Sequence, residues 1–73
     1  MLERVIKIIC DYQGLDASCV TENSNLISDL GLSSFDVVSL ACKFEDEFEI
    51  EIPDRKIRSL QTVKDIVDFI EEN

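Results

Sequence analysis

The chain has 73 residues, sixteen acidic and seven basic, for a formal charge of −9, and 45% of them are hydrophobic. This length supports one small domain, residues 1–73, with no second core and no room for the catalytic cleft of an ordinary enzyme. The negative balance excludes the positive footprint that nucleic-acid binding requires and favours partners with basic docking patches.

In chain order, Leu2, Val5, Ile6 and Ile9 stand at i, i+3, i+4 and i+7. That is one face of an amphipathic helix, which Tyr12 extends and Gly14 stops, so a first helix is expected over about 2–13. Residues 14–33 show no period and are rich in Ser, Asn, Asp and Thr. A loop of about 20 residues is unusual in a small domain. Leu15, Val20, Leu26, Ile27 and Leu30 are expected to pin it to the core, and loops held down in this way commonly carry function. The next helix is expected over 34–48, where Val37, Leu40, Ala41, Phe44 and Phe48 form the stripe and Ser33 or Ser34 supplies the N-cap. Residues 48–52 alternate like a strand, yet no second strand pattern exists to pair with them. They are expected to form an extended connector burying Ile50 and Ile52. Pro53 leads into a short helix at about 54–58, and Thr62 with Asp65 has the spacing of a capping box. Val63, Ile66, Val67 and Ile70 make the stripe of a last helix, with Phe69 on its flank. No such helix hides its stripe alone, so the expected fold is all-α, a small four-helix bundle of three main helices and a short one.

Several chemistries drop out. Histidine is absent, which removes Ser-His and Cys-His nucleophile arrangements. Cys10, Cys19 and Cys42 are odd in number and lack zinc spacing, as fits the reduced thiols of a cytoplasmic protein. No stretch approaches the ~18 apolar residues of a membrane span. Glu3, Arg4 and Lys7 break the N-terminal apolar run that a signal peptide needs. A monomer with no membrane contact is expected.

The acids are concentrated. Residues 34–54 hold Asp36, Glu45, Asp46, Glu47, Glu49, Glu51 and Asp54 against Lys43 alone, which is −6 of the net −9. Glu45, Asp46 and Glu47 fall in the last turn of the second helix, where the dipole is already negative and an exposed anion costs about 0.3–1 kcal/mol. Folding alone gives no reason to put them there. They read either as a solvated face or as a negative ridge that steers basic partners and fixes their register. Arg55, Lys56 and Arg58 follow at once and partly neutralise its far end. No EF-hand spacing is present along Glu45–Asp54, so a calcium or magnesium ion is expected to screen these acids rather than to sit in a ligand cage.

The segment Asp29-Leu30-Gly31-Leu32-Ser33-Ser34-Phe35-Asp36 joins the pinned loop to a helix start. A phosphate on a serine hydroxyl there would lie at the positive end of the helix dipole, near free N–H donors. Gly31 permits a left-handed backbone just before it. A plain N-capping serine is the competing reading.

Leu30-Gly31-Leu32-Ser33-Ser34-Phe35-Asp36 resembles the attachment motif of the acyl carrier proteins, whose usual form is Leu-Gly-x-Asp-Ser-Leu-Asp. The likeness continues through Leu40, the run from Phe44 to Asp54 and Thr62-Val63-x-Asp65. Upstream it includes Val20-Thr21 and Leu26-x-x-Asp29-Leu30-Gly31. The serine motif is moderately specific; with the Glu-Phe-x-Ile-x-Ile-Pro-Asp run, it is strong. The resemblance implies that Ser34 carries 4′-phosphopantetheine through a phosphodiester and that the arm's thiol holds acyl cargo as a thioester. The chain would then catalyse nothing itself. It would present cargo to a phosphopantetheinyl transferase and to enzymes of fatty-acid or related acyl synthesis. By position, Phe35 and Cys42 match apolar docking sites, and Asp36, Glu45, Asp46 and Glu51 fall among the acidic ones. Two departures stand beside the arm: Ser33 where the family usually has aspartate, and Ser39 where glutamate is common. The aliphatic core would also suit an acyl chain inserted between the helices. Two alternatives stay open: a specialised carrier of polyketide or amino-acyl cargo, and an unmodified acidic module that binds a basic protein.

Overall fold

The computed structural model describes residues 1–72. Its helices are α1 (Leu2–Gln13), α2 (Ser34–Phe48), α3 (Asp54–Ser59) and α4 (Val63–Glu72), with one 3-10 turn at Ala17–Cys19. The four-helix, all-α architecture expected from the sequence is the one observed. α1 packs against α2 and α4, and α2 packs against α3.

Each stripe reaches the core. Val5 and Ile9 of α1, Val37, Leu40, Ala41 and Phe44 of α2, and Val63, Ile66, Val67 and Ile70 of α4 are buried. Burying such side chains, at roughly 1.5–3 kcal/mol for each large one, holds three short helices together. Cys10 is buried beside them, so this cysteine works as a small core residue. Burial, then the charges of Asp11 and Asp16, raise its thiol pKa above the ordinary value.

The helix ends follow local chemistry. Gly14 terminates α1 in the left-handed region at φ 73°, its N–H donating to Cys10 O at 2.7 Å. α2 ends on Glu49, also left-handed at φ 55° although it is not glycine. The α4 capping box is present: Thr62 Oγ1 accepts from Asp65 N at 3.2 Å, and Asp65 Oδ2 accepts from Thr62 N at 3.1 Å.

The long loop is ordered by side chains that mimic backbone. Asn25 Oδ1 accepts from the N–H groups of Ile27 and Ser28, and Asp29 Oδ2 accepts from Asn25 N. Leu26 N donates to Gln61 O at 2.8 Å and Lys64 N to Glu22 O at 2.8 Å, which straps the loop to the start of α4. Val20, Leu26, Leu30 and Leu32 are buried, and Leu15 is half-buried. Contrary to the expectation from its hydrophobicity, Ile27 does not pin the loop. The Asn25 turn leaves it 53% exposed. In the 49–53 connector Ile52 is buried, whereas Ile50 is only half-buried. The left-handed turn at Glu49 sets residue 50 just past the helix end, at the edge of the core.

Candidate functional site

The two neighbouring serines at the head of α2 have different roles. Ser33 is the N-cap, with extended backbone at φ −88° and ψ 170°. Its Oγ accepts from Asp36 N at 3.1 Å and donates to Asp36 Oδ2 at 3.1 Å, while Ser33 N donates to the same carboxylate oxygen at 3.0 Å. This is a closed capping box, and it occupies the Ser33 hydroxyl in both directions. Ser34 is the first residue of the helix. It is exposed, and its hydroxyl makes no hydrogen bond among the described residues.

The backbone around Ser34 leaves donors open. Val37 N bonds Ser33 O and Asp36 N bonds Ser33 Oγ, but the N–H groups of Ser34 and Phe35 have no acceptor among the described residues. Two orphan donors and the positive end of a fifteen-residue helix therefore surround a free primary hydroxyl. An esterified phosphate fits this place, since N–H groups and dipole both favour negative charge.

α1 holds the segment from below. Tyr12 OH donates to Asp36 Oδ1 at 2.9 Å, and Gln13 Nε2 donates to Leu30 O at 3.3 Å. Gly31 stands at φ 71°, and Gln13 Nε2 is the nearest atom to the side-chain position it lacks. The Ser33 N–H first, then the Tyr12 hydroxyl, hold the Asp36 carboxyl below the ordinary aspartate range. Neither Tyr12 nor Gln13 is marked as a site residue by the sequence, because one continues a helical stripe, the other closes a helix, and the long-range partner of each has no local signature.

The other expected site residues divide into two groups. Phe35 (77% exposed), Cys42 and Asp46 lie open on the outer face of α2, at i, i+7 and i+11. Val38, 47% exposed, flanks this line and adds to its apolar end. Sequence reading passed over it, although it stands off the core stripe. Glu51 is exposed on the connector, apart from that face. Asp36 and Glu45 are half-buried and already bonded. Glu45 is the hub of the α2 terminus: its carbonyl receives the N–H groups of Glu49 and Ile50, and its Oε2 receives Ile52 N at 2.8 Å. Glu47 pairs with Arg4 at 2.9 Å, both side chains being about half exposed. The expectation that folding has no use for acids in this turn is thus corrected for Glu45, whose carboxylate satisfies the connector N–H of Ile52, and for Glu47, which pairs with Arg4. For Asp46 no bond is seen among the described residues.

No helix among the described residues is long and apolar enough to cross a membrane, and none of their Cys, Asp and Glu side chains form a metal-holding group. Comparison with protein-family models gives a match over residues 3–70 to the family described as phosphopantetheine attachment site.

Proposed function

The chain belongs to the phosphopantetheine attachment site family, whose domain is the place of covalent 4′-phosphopantetheine attachment, and from that premise we propose that Ser34 Oγ is the attachment atom of a cytoplasmic, monomeric acyl carrier. The single observation carrying this choice is the division of labour between the serines: Ser33 is consumed by the cap, and Ser34 is exposed, its hydroxyl unbonded among the described residues. The bound group would supply a terminal thiol that holds acyl cargo as a thioester. The chain's own residues provide the rest. The open N–H groups of Ser34 and Phe35 would hold the phosphodiester, Tyr12 and Gln13 fix the segment on α1, and the outer face of α2 would meet the enzymes.

Phe35, Val38 and Cys42 supply apolar contact next to the arm, and Asp46 supplies steering charge farther along. Asp36 and Glu45 act mainly through the shape and charge of the helix ends, because their oxygens are engaged. The partners are a phosphopantetheinyl transferase and enzymes of fatty-acid or related acyl-chain synthesis with basic docking patches. Tethering then raises the concentration of the cargo at whichever of them docks. Phe44 is the one aromatic among the buried core residues described, the others being Val, Ile, Leu, Ala and Cys. Such walls support shelter of an aliphatic chain between the helices.

Intact mass after incubation with a transferase and coenzyme A tests the reading. A gain of one phosphopantetheinyl unit, lost in Ser34→Ala, is expected. No gain under conditions that load a control carrier would overturn it in favour of an unmodified interaction module.

A further inference from the structure

The three cysteines are free, and two of them share one corner of the domain. Cys10 lies in the last turn of α1, 7% exposed, at the rim of the core. Its carbonyl accepts from Gly14 N at 2.7 Å and from Leu15 N at 3.1 Å, so the chain doubles back on Cys10 itself. The 3-10 turn Ala17–Cys19 follows and packs against α1. Asp16 caps this turn through Ser18 N, and Cys19 N donates to Asp16 O at 2.9 Å. From Cys10 O to Cys19 N the path thus crosses only two hydrogen bonds and the residues Leu15 and Asp16. Val20, next to Cys19, is buried in the same core cluster as Cys10. Cys19 itself is exposed, and its thiol makes no hydrogen bond among the described residues, so packing gives no reason for sulfur there. Burial first, then the charges of Asp11, Asp16 and Cys19, raise the Cys10 thiol pKa. A charge acts on its neighbours in inverse proportion to distance, so the effect of Cys19 agrees with the packing of the two elements.

We propose that Cys10 and Cys19 form a redox pair, which a small-molecule disulfide such as oxidised glutathione closes into an intramolecular bond that staples the start of the long loop to α1. The exposed Cys19 reacts first. Its thiolate attacks one sulfur of the oxidant, a Cys19–glutathione mixed disulfide forms, and one glutathione thiolate leaves. The Cys10 thiolate then attacks the Cys19 sulfur, and the second glutathione leaves. The two protons lost by the cysteines pass to solvent, and their two electrons have reduced the oxidant to two thiols. The new S–S bond closes a loop of about ten residues. A dithiol reductant reverses both steps. The raised pKa leaves Cys10 little thiolate at neutral pH, so closure is the slow step. Cys42 stands on the outer face of α2 and stays outside the pair. The staple fixes the same turn of α1 from which Tyr12 and Gln13 hold the serine segment. It stands on the two cysteines alone and does not depend on the carrier reading.

The experiment uses the full chain before loading, so that no thiol of the arm takes part. The chain is reduced with a phosphine, freed of it, and incubated with about one equivalent of oxidised glutathione at about pH 8. Intact mass is expected to fall by about 2 Da. A protease that cuts after acidic residues, here Asp11, Asp16 and Glu22, should release a Cys10 peptide joined to a Cys19 peptide, and reductant should part them. Closure should raise Tm by about 10 °C. Cys19→Ser, at an exposed side chain, should keep the Tm of the reduced native chain and fail to close. Cys10→Ala, the second variant, should retain glutathione on Cys19. Glutathione held on Cys19 of the native chain with Cys10 still free overturns the proposal, as does a bond that includes Cys42. Disulfide-linked dimers alone, or closure that lowers Tm, overturn it as well. Loading of Ser34 is read by intact mass in a separate reaction: its failure sinks the carrier reading and leaves the cysteine pair standing.

Discussion

Ser33→Ala and Ser34→Ala, one residue apart, are expected to fail in opposite assays. Ser33→Ala removes the acceptor for Asp36 N and the hydroxyl donor to Asp36 Oδ2. Loss of a capping side chain costs about 0.5–2 kcal/mol, and loss of a two-way box belongs in the upper half of that range, about 1–2 kcal/mol. For a domain of this size each 1 kcal/mol moves Tm by about 4–8 °C, so a fall of roughly 4–16 °C is expected on thermal unfolding followed by circular dichroism. The folded fraction should still be loaded by the transferase. Ser34→Ala breaks no bond, and alanine is the better helix former by a few tenths of a kcal/mol, about 0.5 at most, so its Tm should hold or rise slightly. Its mass should stay fixed in the presence of transferase and coenzyme A. If the results are exchanged, with Ser33→Ala refusing the group and Ser34→Ala losing stability, the assignment of the two hydroxyls is wrong.

Other expectations follow from the same geometry. Glu45→Ala leaves Ile52 N without its acceptor and should cost about 1–2 kcal/mol in urea unfolding, whereas Asp46→Lys should leave stability within about 0.5 kcal/mol, yet slow acyl transfer and flatten its salt dependence. Equal stability losses in both would reject this separation of roles. Phe35→Ala, at a side chain 77% exposed, should keep the native Tm while raising KM for the transferase; an unchanged KM would remove Phe35 from the docking face. Asp36 has its folded pKa depressed, so the stability it contributes is complete above the unfolded value of about 3.9 and disappears as pH falls through the lower folded value. Tyr12→Phe removes one cause of that depression. It should therefore be less stable than the native chain at neutral pH, with the gap in Tm narrowing in acid; a gap constant down to pH ~2 contradicts the assigned bond.

The helices were legible because their information is local. Val37, Leu40, Ala41 and Phe44 repeat at helical spacing, and both Ser33–Asp36 and Thr62–Asp65 announce a start three residues in advance. The loop was only half legible. Leu26 and Leu30 are buried as expected, but Ile27 between them is turned out by hydrogen bonds to Asn25, and hydrophobicity carries no information about that turn. Leu32, 2% exposed, was hidden inside a motif that draws attention to its serines. At the site, residue types suggested one serine or the other as the cap. Only three-dimensional placement shows that Ser33 takes that role and leaves Ser34 open. The acids of α2 were readable as charge but not as structure. Glu45 differs from Asp46 through one N–H seven residues ahead, which no periodicity reveals.

Glu49 bears a consequence of its own. It turns the chain out of α2 at φ 55°, a shape glycine takes freely and a glutamate holds against a penalty on the order of 1 kcal/mol. Heat tolerance and surface anion content are consequently linked at this residue. Glycine there yields a hardier variant with one fewer negative group, by a single change remote from the serine pair.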